Sequence, residues 1–325
     1  MRFGHTHRVR AKSAMGVLIT SALLLFGCAN NTERATTPGL MDPPTTQGTQ
    51  WPIVIEDAEL AAVDFEAAPI TGEDRILALA VGSGEIVELL GAGGQLVGRD
   101  ETSATPENVP VVTQGHQVEI EQALALEPTV VLVDDLSGPP EAIDALDNAG
   151  ARIVQVPAVW TLTDIPQRID RIAEAVGAEE QTVTELTRTL IPAKNSAITT
   201  PPRVAFLYLR GPSAVYLLGG ANTGADALIE AAGATDVGAE LGYDGFVPLT
   251  AEAIVQADPD VILVMADGLG SVGGIEGLLE LPGIAQTVAG QDKRIVVVDD
   301  RTLLSFGGRT PALVQALNEA FAAAA

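Results

Sequence analysis

The chain has 325 residues, 47% of them hydrophobic, with 18 Lys and Arg against 43 Asp and Glu, three histidines and one cysteine. A formal charge of −25 with no basic stripe to offset it repels polyanions, which excludes DNA or RNA as a partner. One cysteine cannot build a disulfide framework, and so few imidazoles and thiols leave little equipment for catalysis, so an enzyme is not expected.

Arg2, Arg8, Arg10 and Lys12 precede the apolar run Val17 to Phe26, which ends at Gly27-Cys28. This reads as a secretory signal over 1–27, too short to be a membrane span. Leu25-Phe26-Gly27-Cys28 matches a lipobox, with Phe26 bulky where a small residue is usual. Cys28 is therefore expected to carry lipid as the mature N-terminus, which holds firmly when diacylated. Asn30 to Gln50, rich in Thr, Pro, Asn and Gln, reads as a flexible tether, and residues 28–72 together as lipidated cysteine plus tether. The body is then extracytoplasmic and anchored to the outer face of the cell membrane. Beyond residue 27 only one histidine, His116, remains.

Two halves then read in parallel. In the first, over 73–163, DRILALAV is a strand, GSGEIVELLGAG a helix and QLVGRD a short strand. The loop TPENVPVVTQGHQ follows, then helix VEIEQALALEP, strand TVVLVDD, a helix around PEAIDALDNAG and strand ARIVQVP. Residues 164–200 form a connecting helical region, with a helix from about Ala178 to Ile198 of roughly 30 Å that Pro192 bends or shortens. In the second half, over 201–325, RVAFLYLRG is a strand, TGADALIEAAGA a helix and TDVGAELGYDGF a loop. Helix LTAEAIVQADP, strand DVILVMAD, helix GGIEGLLELPGI and strand KRIVVVDD complete it. Near-continuous apolar strands alternating with helices predict an α/β fold of two Rossmann-like lobes with parallel sheets, joined by one long helix.

Ligands of such sheets collect at the carboxyl ends of strands. His116 sits in a loop of that kind, and its competing reading is a solvated imidazole. Tyr208 ends the first strand of the second lobe, where it either faces the cleft or packs in the sheet with Val204 and Phe206. Tyr243, in the second lobe's version of the His116 loop, is its rival. Tyr216 reads as structural, Trp160 and Phe246 as pocket walls or core, and Met265 as an apolar contact at a strand end. No zinc spacing, nucleophile–base pair or phosphate loop appears, and GSG and GLGSVGG match glycine fingerprints only weakly.

The segments LVGRDETS, VPVVTQGHQVEIEQALALEPTVVLVDD, VAFLYLRG, GADALIEAAG, DPDVILVMADGLGSVGGIEGLLELPGIAQT and LLSFGGRTPAL resemble the helical-backbone (class III) substrate-binding proteins of ABC importers for siderophores, cobalamin and haem. Within these, the chain is similar to the haem-binding lipoproteins of actinobacterial haem importers. The resemblance implies iron held by His116 and Tyr208, with Arg210 two residues on favouring the phenolate. It implies haem b in the ferric state as the transported ligand, with Arg99 and Arg210 as donors to its propionates. It also implies a monomer that docks on a membrane permease and its ATPase through one acidic residue on each lobe, for which Glu107 and Asp236 are the candidates by position. The alternatives are a ferric siderophore or corrinoid on the same fold, a haem enzyme or electron-transfer protein, and a surface module without ligand.

Overall fold

Uncharged runs rich in Val and Ile form the buried strands, because β-branched side chains pack well on a pleated surface covered on both faces. The computed structural model describes residues 50–192 and 198–325. Strand β1 is Ile53–Ile55. The first lobe supplies β2 (Ile76–Ala78), β3 (Leu96–Arg99), the short pair β4 (Thr113–Gln114) and β5 (Gln117–Val118), β6 (Val130–Val133) and β7 (Arg152–Gln155). The second supplies β8 (Arg203–Arg210), β9 (Val215–Gly219), β10 (Thr235–Asp236), β11 (Phe246–Pro248), β12 (Val261–Met265) and β13 (Ile295–Val298).

The first sheet has the order β3-β2-β6-β7, with every pair parallel. The second repeats it as β10-β8-β12-β13, again parallel throughout. The parallel reading of the two halves is thus a repeat of strand order. Two additions distinguish the second sheet. Strand β9 runs antiparallel to the carboxyl half of β8, and β11 antiparallel to β9, a departure from the all-parallel expectation. Strand β1 lies parallel to β13, with Ile53 opposite Val296 and Ile55 opposite Val298.

β1 corrects the tether over 28–72. Ile53, Val54 and Ile55 form a β-branched run that completes a sheet edge, and Ile55 and Leu60 are buried. The signal segment, Cys28 and the rest of the expected tether before residue 50 lie outside the described residues. Among the described residues no helix is long and apolar enough to cross a membrane.

The connection between lobes also differs from one long helix. It is built from the helices Ile165–Val176 and Glu180–Leu190. Gly177 separates them with φ 75°, a left-handed conformation that costs glycine little and ends a helix. The amides of Gly177 and Ala178 both return to the Ala173 carbonyl, at 2.8 and 3.0 Å. Ile191 is extended, as the residue before a proline prefers, so Pro192 stops the second helix instead of bending it. Because β1 precedes the first lobe, the chain crosses between lobes twice.

One apolar cluster runs through both lobes, joining Ile76 and Leu132 to Phe206 and Val296 through Ile169, Leu186 and Leu317. Each such fully buried side chain contributes roughly 2 kcal/mol. Separate clusters cover the other face of each sheet, around Leu77 and Val131 and around Leu207 and Val264. A buried ion pair adds a polar tie: Glu85, in the helix Ser83–Leu89, meets Arg309 at 2.6 Å just before the helix Thr310–Ala322. Arg309 also pairs with Asp57 of the segment after β1. Burial pushes Glu85 up to about 7 and Arg309 down to about 10.

Candidate functional site

β4 and β5 form a hairpin whose two-residue turn is Gly115-His116. Gly115 has φ 59°, the conformation such a turn requires. The His116 carbonyl accepts from the Gly138 amide at 3.0 Å, which braces the hairpin against the loop after β6. His116 is thereby held at a tip, exposed, at the edge of the cleft between the lobes.

Tyr208 reaches the same cleft from β8. Alternation puts Val204, Phe206 and Tyr208 against the shared core, and Ala205, Leu207 and Leu209 against the second lobe's own cluster. The Tyr208 ring lies 5.6 Å from that of Phe246, and the guanidinium carbon of Arg210 sits 4.4 Å from its centroid. Arg210 is held there by donating to the Leu209 carbonyl at 2.9 Å.

His116 and Tyr208 both line two adjoining cavities, of about 320 and 470 Å³. The smaller is apolar, walled by Leu136, Val159, Trp160, Leu217 and Phe246. Leu136, Trp160 and Phe246 are 37–39% exposed, a concentration of open apolar surface that suits a flat ligand. The larger is polar and holds Arg210, Met265, Asp267 and Asp300. Met265, 5% exposed at the end of β12, offers its side chain as an apolar floor. Among the described residues no cluster of three or more His, Cys, Asp and Glu could cage a bare metal ion.

Three expected site residues are elsewhere. Tyr243 packs against the Leu207 and Leu209 cluster and lines neither cavity, because its loop folds back on β9. Arg99 donates to the carbonyls of Val109, Asp100 and Ser103, at 3.3, 3.3 and 2.7 Å, and braces its own loop. Asp236 is 2% exposed and caps the helix Val237–Glu240 by accepting from the Ala239 amide at 2.7 Å. Its other oxygen is buried without a partner, and burial raises its pKa to about 7. A carboxyl buried in this way and engaged in capping is out of a partner's reach and is no docking residue. Glu107 is exposed in a turn closed by the Val109 amide on the Pro106 carbonyl.

Sequence reasoning missed two buried charges of the cleft. Asp134 directly follows β6, where it accepts from the amides of Val81, Leu136 and Ser137. Arg168 lies at the foot of the apolar cavity, donating to the carbonyls of Val81 and Pro157. Its signal was present: Arg168 follows Ile165 by three and precedes Ile172 by four, so it occupies the buried stripe of its helix. Burial lowers its pKa, opposed by Asp134 and Asp100.

A family model for periplasmic binding proteins matches residues 76–302, most of both lobes and the connection between them. The chain belongs to the periplasmic binding protein family. Its mixed α/β architecture is that of the family's class III members. It is similar to the periplasmic heme-binding protein RhuT from Roseiflexus sp. RS-1, 37% identical, with a TM-score of 0.71 over 78% of this chain and 100% of that one. It is also similar to the heme binding protein HmuT, 32% identical, with a TM-score of 0.69 over 82% of this chain and 96% of that one. HmuT has also been solved with a tyrosine, an arginine and a histidine each replaced by alanine. An uncharacterized ABC transporter substrate-binding lipoprotein, YvrC of Bacillus subtilis (strain 168), is 27% identical over 262 residues, covering 78% of this chain and 79% of its own.

Proposed function

We propose that this protein is an extracytoplasmic haem receptor that delivers its ligand to a membrane ABC importer. The observation that carries the reading is that His116 from the first lobe and Tyr208 from the second line the same pair of cavities. Imidazole and phenolate are both good ligands of ferric iron, so the two would hold one ring from opposite faces. Arg210 over the Tyr208 ring favours the negative charge a phenol carries when it binds iron. The aromatic wall of the apolar cavity supplies contact to the macrocycle.

The relatives support this reading. RhuT and HmuT are heme-binding by name. The tyrosine and arginine replaced in HmuT stand two positions apart, as do Tyr208 and Arg210 here. Ferric haem b is the cargo, Cys28 bears the lipid anchor, and the protein acts as a monomer without catalysis. Glu107 is the first-lobe residue that docks on the permease.

The test is a titration of the purified protein with ferric haem, followed in the visible spectrum. Saturable binding with a Soret band that moves in His116→Ala and in Tyr208→Ala is the expected result. A wild-type protein that leaves the haem spectrum unchanged would end this reading.

A further inference from the structure

The two cavities tolerate charge differently, and that difference bears on which tetrapyrroles the site accepts, given the haem reading above. A ring ligated by His116 and Tyr208 lies across the line joining them. One edge then enters the apolar cavity and the opposite edge the polar one.

The apolar cavity is a poor place for a carboxylate. Its walls are Leu136, Val159, Trp160 and Phe246, of which only the Trp160 indole N–H can donate, too little to replace the water around an ion. Arg168 at its foot is 2% exposed, engaged with two backbone carbonyls, and already faced by Asp134 and Asp100. The methyl and vinyl edge of haem would suit this half and the propionates the polar half.

The polar half offers them Arg210, opposed by Asp267, Asp300 and Glu101. The Asp300 carboxylate accepts from the Asp267 amide at 2.7 Å, which fixes the start of the helix Ala266–Ser271 and that of Asp300–Leu303 side by side on one wall. Asp300 is half-buried there, its pKa raised by burial and by Asp267 and lowered by Arg210. Carboxylates so placed repel each further negative charge.

We propose that Asp267 and Asp300 are specificity-determining residues of the cleft. They stand against the propionate edge beside Arg210 and hold haem affinity below what the cavity would otherwise give, while the apolar half limits the ligand to porphyrins with carboxylates on one edge only. Specificity then arises from an apolar half that refuses charge and a polar half that limits it.

The experiment titrates the full chain and the double variant Asp267→Asn/Asp300→Asn with three ligands, followed at the Soret band. These are ferric haem, its dimethyl ester, and ferric coproporphyrin III, which carries four carboxylates. In the wild type, coproporphyrin should bind at least about 100-fold more weakly than haem, because its extra carboxylates enter the apolar half. The double variant should bind haem about tenfold more tightly, from the loss of two repulsive charges, with ester affinity unchanged. The ester also reports an intact cleft, and the single variant Asp267→Asn should give a smaller gain in the same direction. Equal binding of haem and coproporphyrin would overturn the proposal. So would a double variant that shifts haem and ester alike, or unchanged haem affinity there with a haem-specific loss in Arg168→Met. Absence of any haem binding by the wild type would instead overturn the haem reading itself.

Discussion

The guanidinium of Arg210 stacks on the ring of Tyr208, 4.4 Å from its centroid, at the carboxyl end of the strand that carries both. Residues two apart on a strand point to the same face, so the pairing is written into the backbone geometry of β8. Arg210→Ala should weaken ferric haem binding about tenfold, the scale of a partly desolvated cation–π contact plus a lost charge beside a phenolate. Arg210→Lys should recover part of it. Equilibrium titration of the three proteins checks the order, and equal affinities would deny Arg210 a role.

The two proposed iron ligands, His116 and Tyr208, should contribute unequally. Tyr208→Ala removes an anionic oxygen from a ferric centre and should cost more affinity than His116→Ala, which should leave a tyrosine-bound, largely high-spin haem. Reduction with dithionite should weaken the tyrosine bond, because phenolate favours ferric over ferrous iron. A tyrosinate-type spectrum that persists after reduction would contradict this assignment.

The apolar wall should behave differently from the ligands. Trp160→Ala and Phe246→Ala should each lower affinity about tenfold through lost aromatic contact, while the spectrum of the bound haem stays that of the wild type. A change of spin state in Trp160→Ala would mean that the wall also sets the ligation.

Asp236 predicts a pH dependence of stability. Its carboxyl titrates near 7 in the folded protein and near its ordinary value unfolded, so the folded state binds the additional proton between those values. The stabilisation is full below the unfolded pKa and is lost as pH rises towards about 7. Asp236→Asn keeps an acceptor for the Ala239 amide and removes the titration. It should be more stable than wild type at pH 8 by about 4 kcal/mol, with a flatter profile between pH 4 and 7. Urea denaturation at several pH values measures both.

Glu107 is expected to act away from the cleft. Glu107→Ala should bind haem with wild-type affinity and fail to support haem uptake by cells at limiting haem, since rim charges govern docking. Normal uptake would remove Glu107 from the docking surface.

Much of this architecture was legible because the strands are long apolar runs punctuated by glycine and proline. The place of Tyr208 towards the carboxyl end of β8 was readable from the sequence, as was that of His116 in a loop between strands. What escaped reading was decided by contacts distant in sequence. Tyr243 and His116 occupy equivalent loops, yet one turns onto β9 and the other forms a hairpin tip, and only the added antiparallel strands make that difference. The isoleucine run of β1 is too short to be distinguished from a linker until its partner, 243 positions later, is known. Asp236 looked like a surface turn because a capping aspartate and a solvated one share the same local sequence.

That distant pairing also orders the way the chain can assemble. The first sheet draws its strands from Ile76 to Gln155, so its contacts are available once that stretch has left the secretion or translation machinery. The second cannot close until Val298 is present, since β1 and β12 both bond to β13. During synthesis the amino-terminal Ile53–Ile55 therefore waits, with its hydrogen-bonding edge open, for almost the entire chain. Any slowing near the carboxyl terminus prolongs that exposure, and it is there that a chaperone would find this protein unfinished.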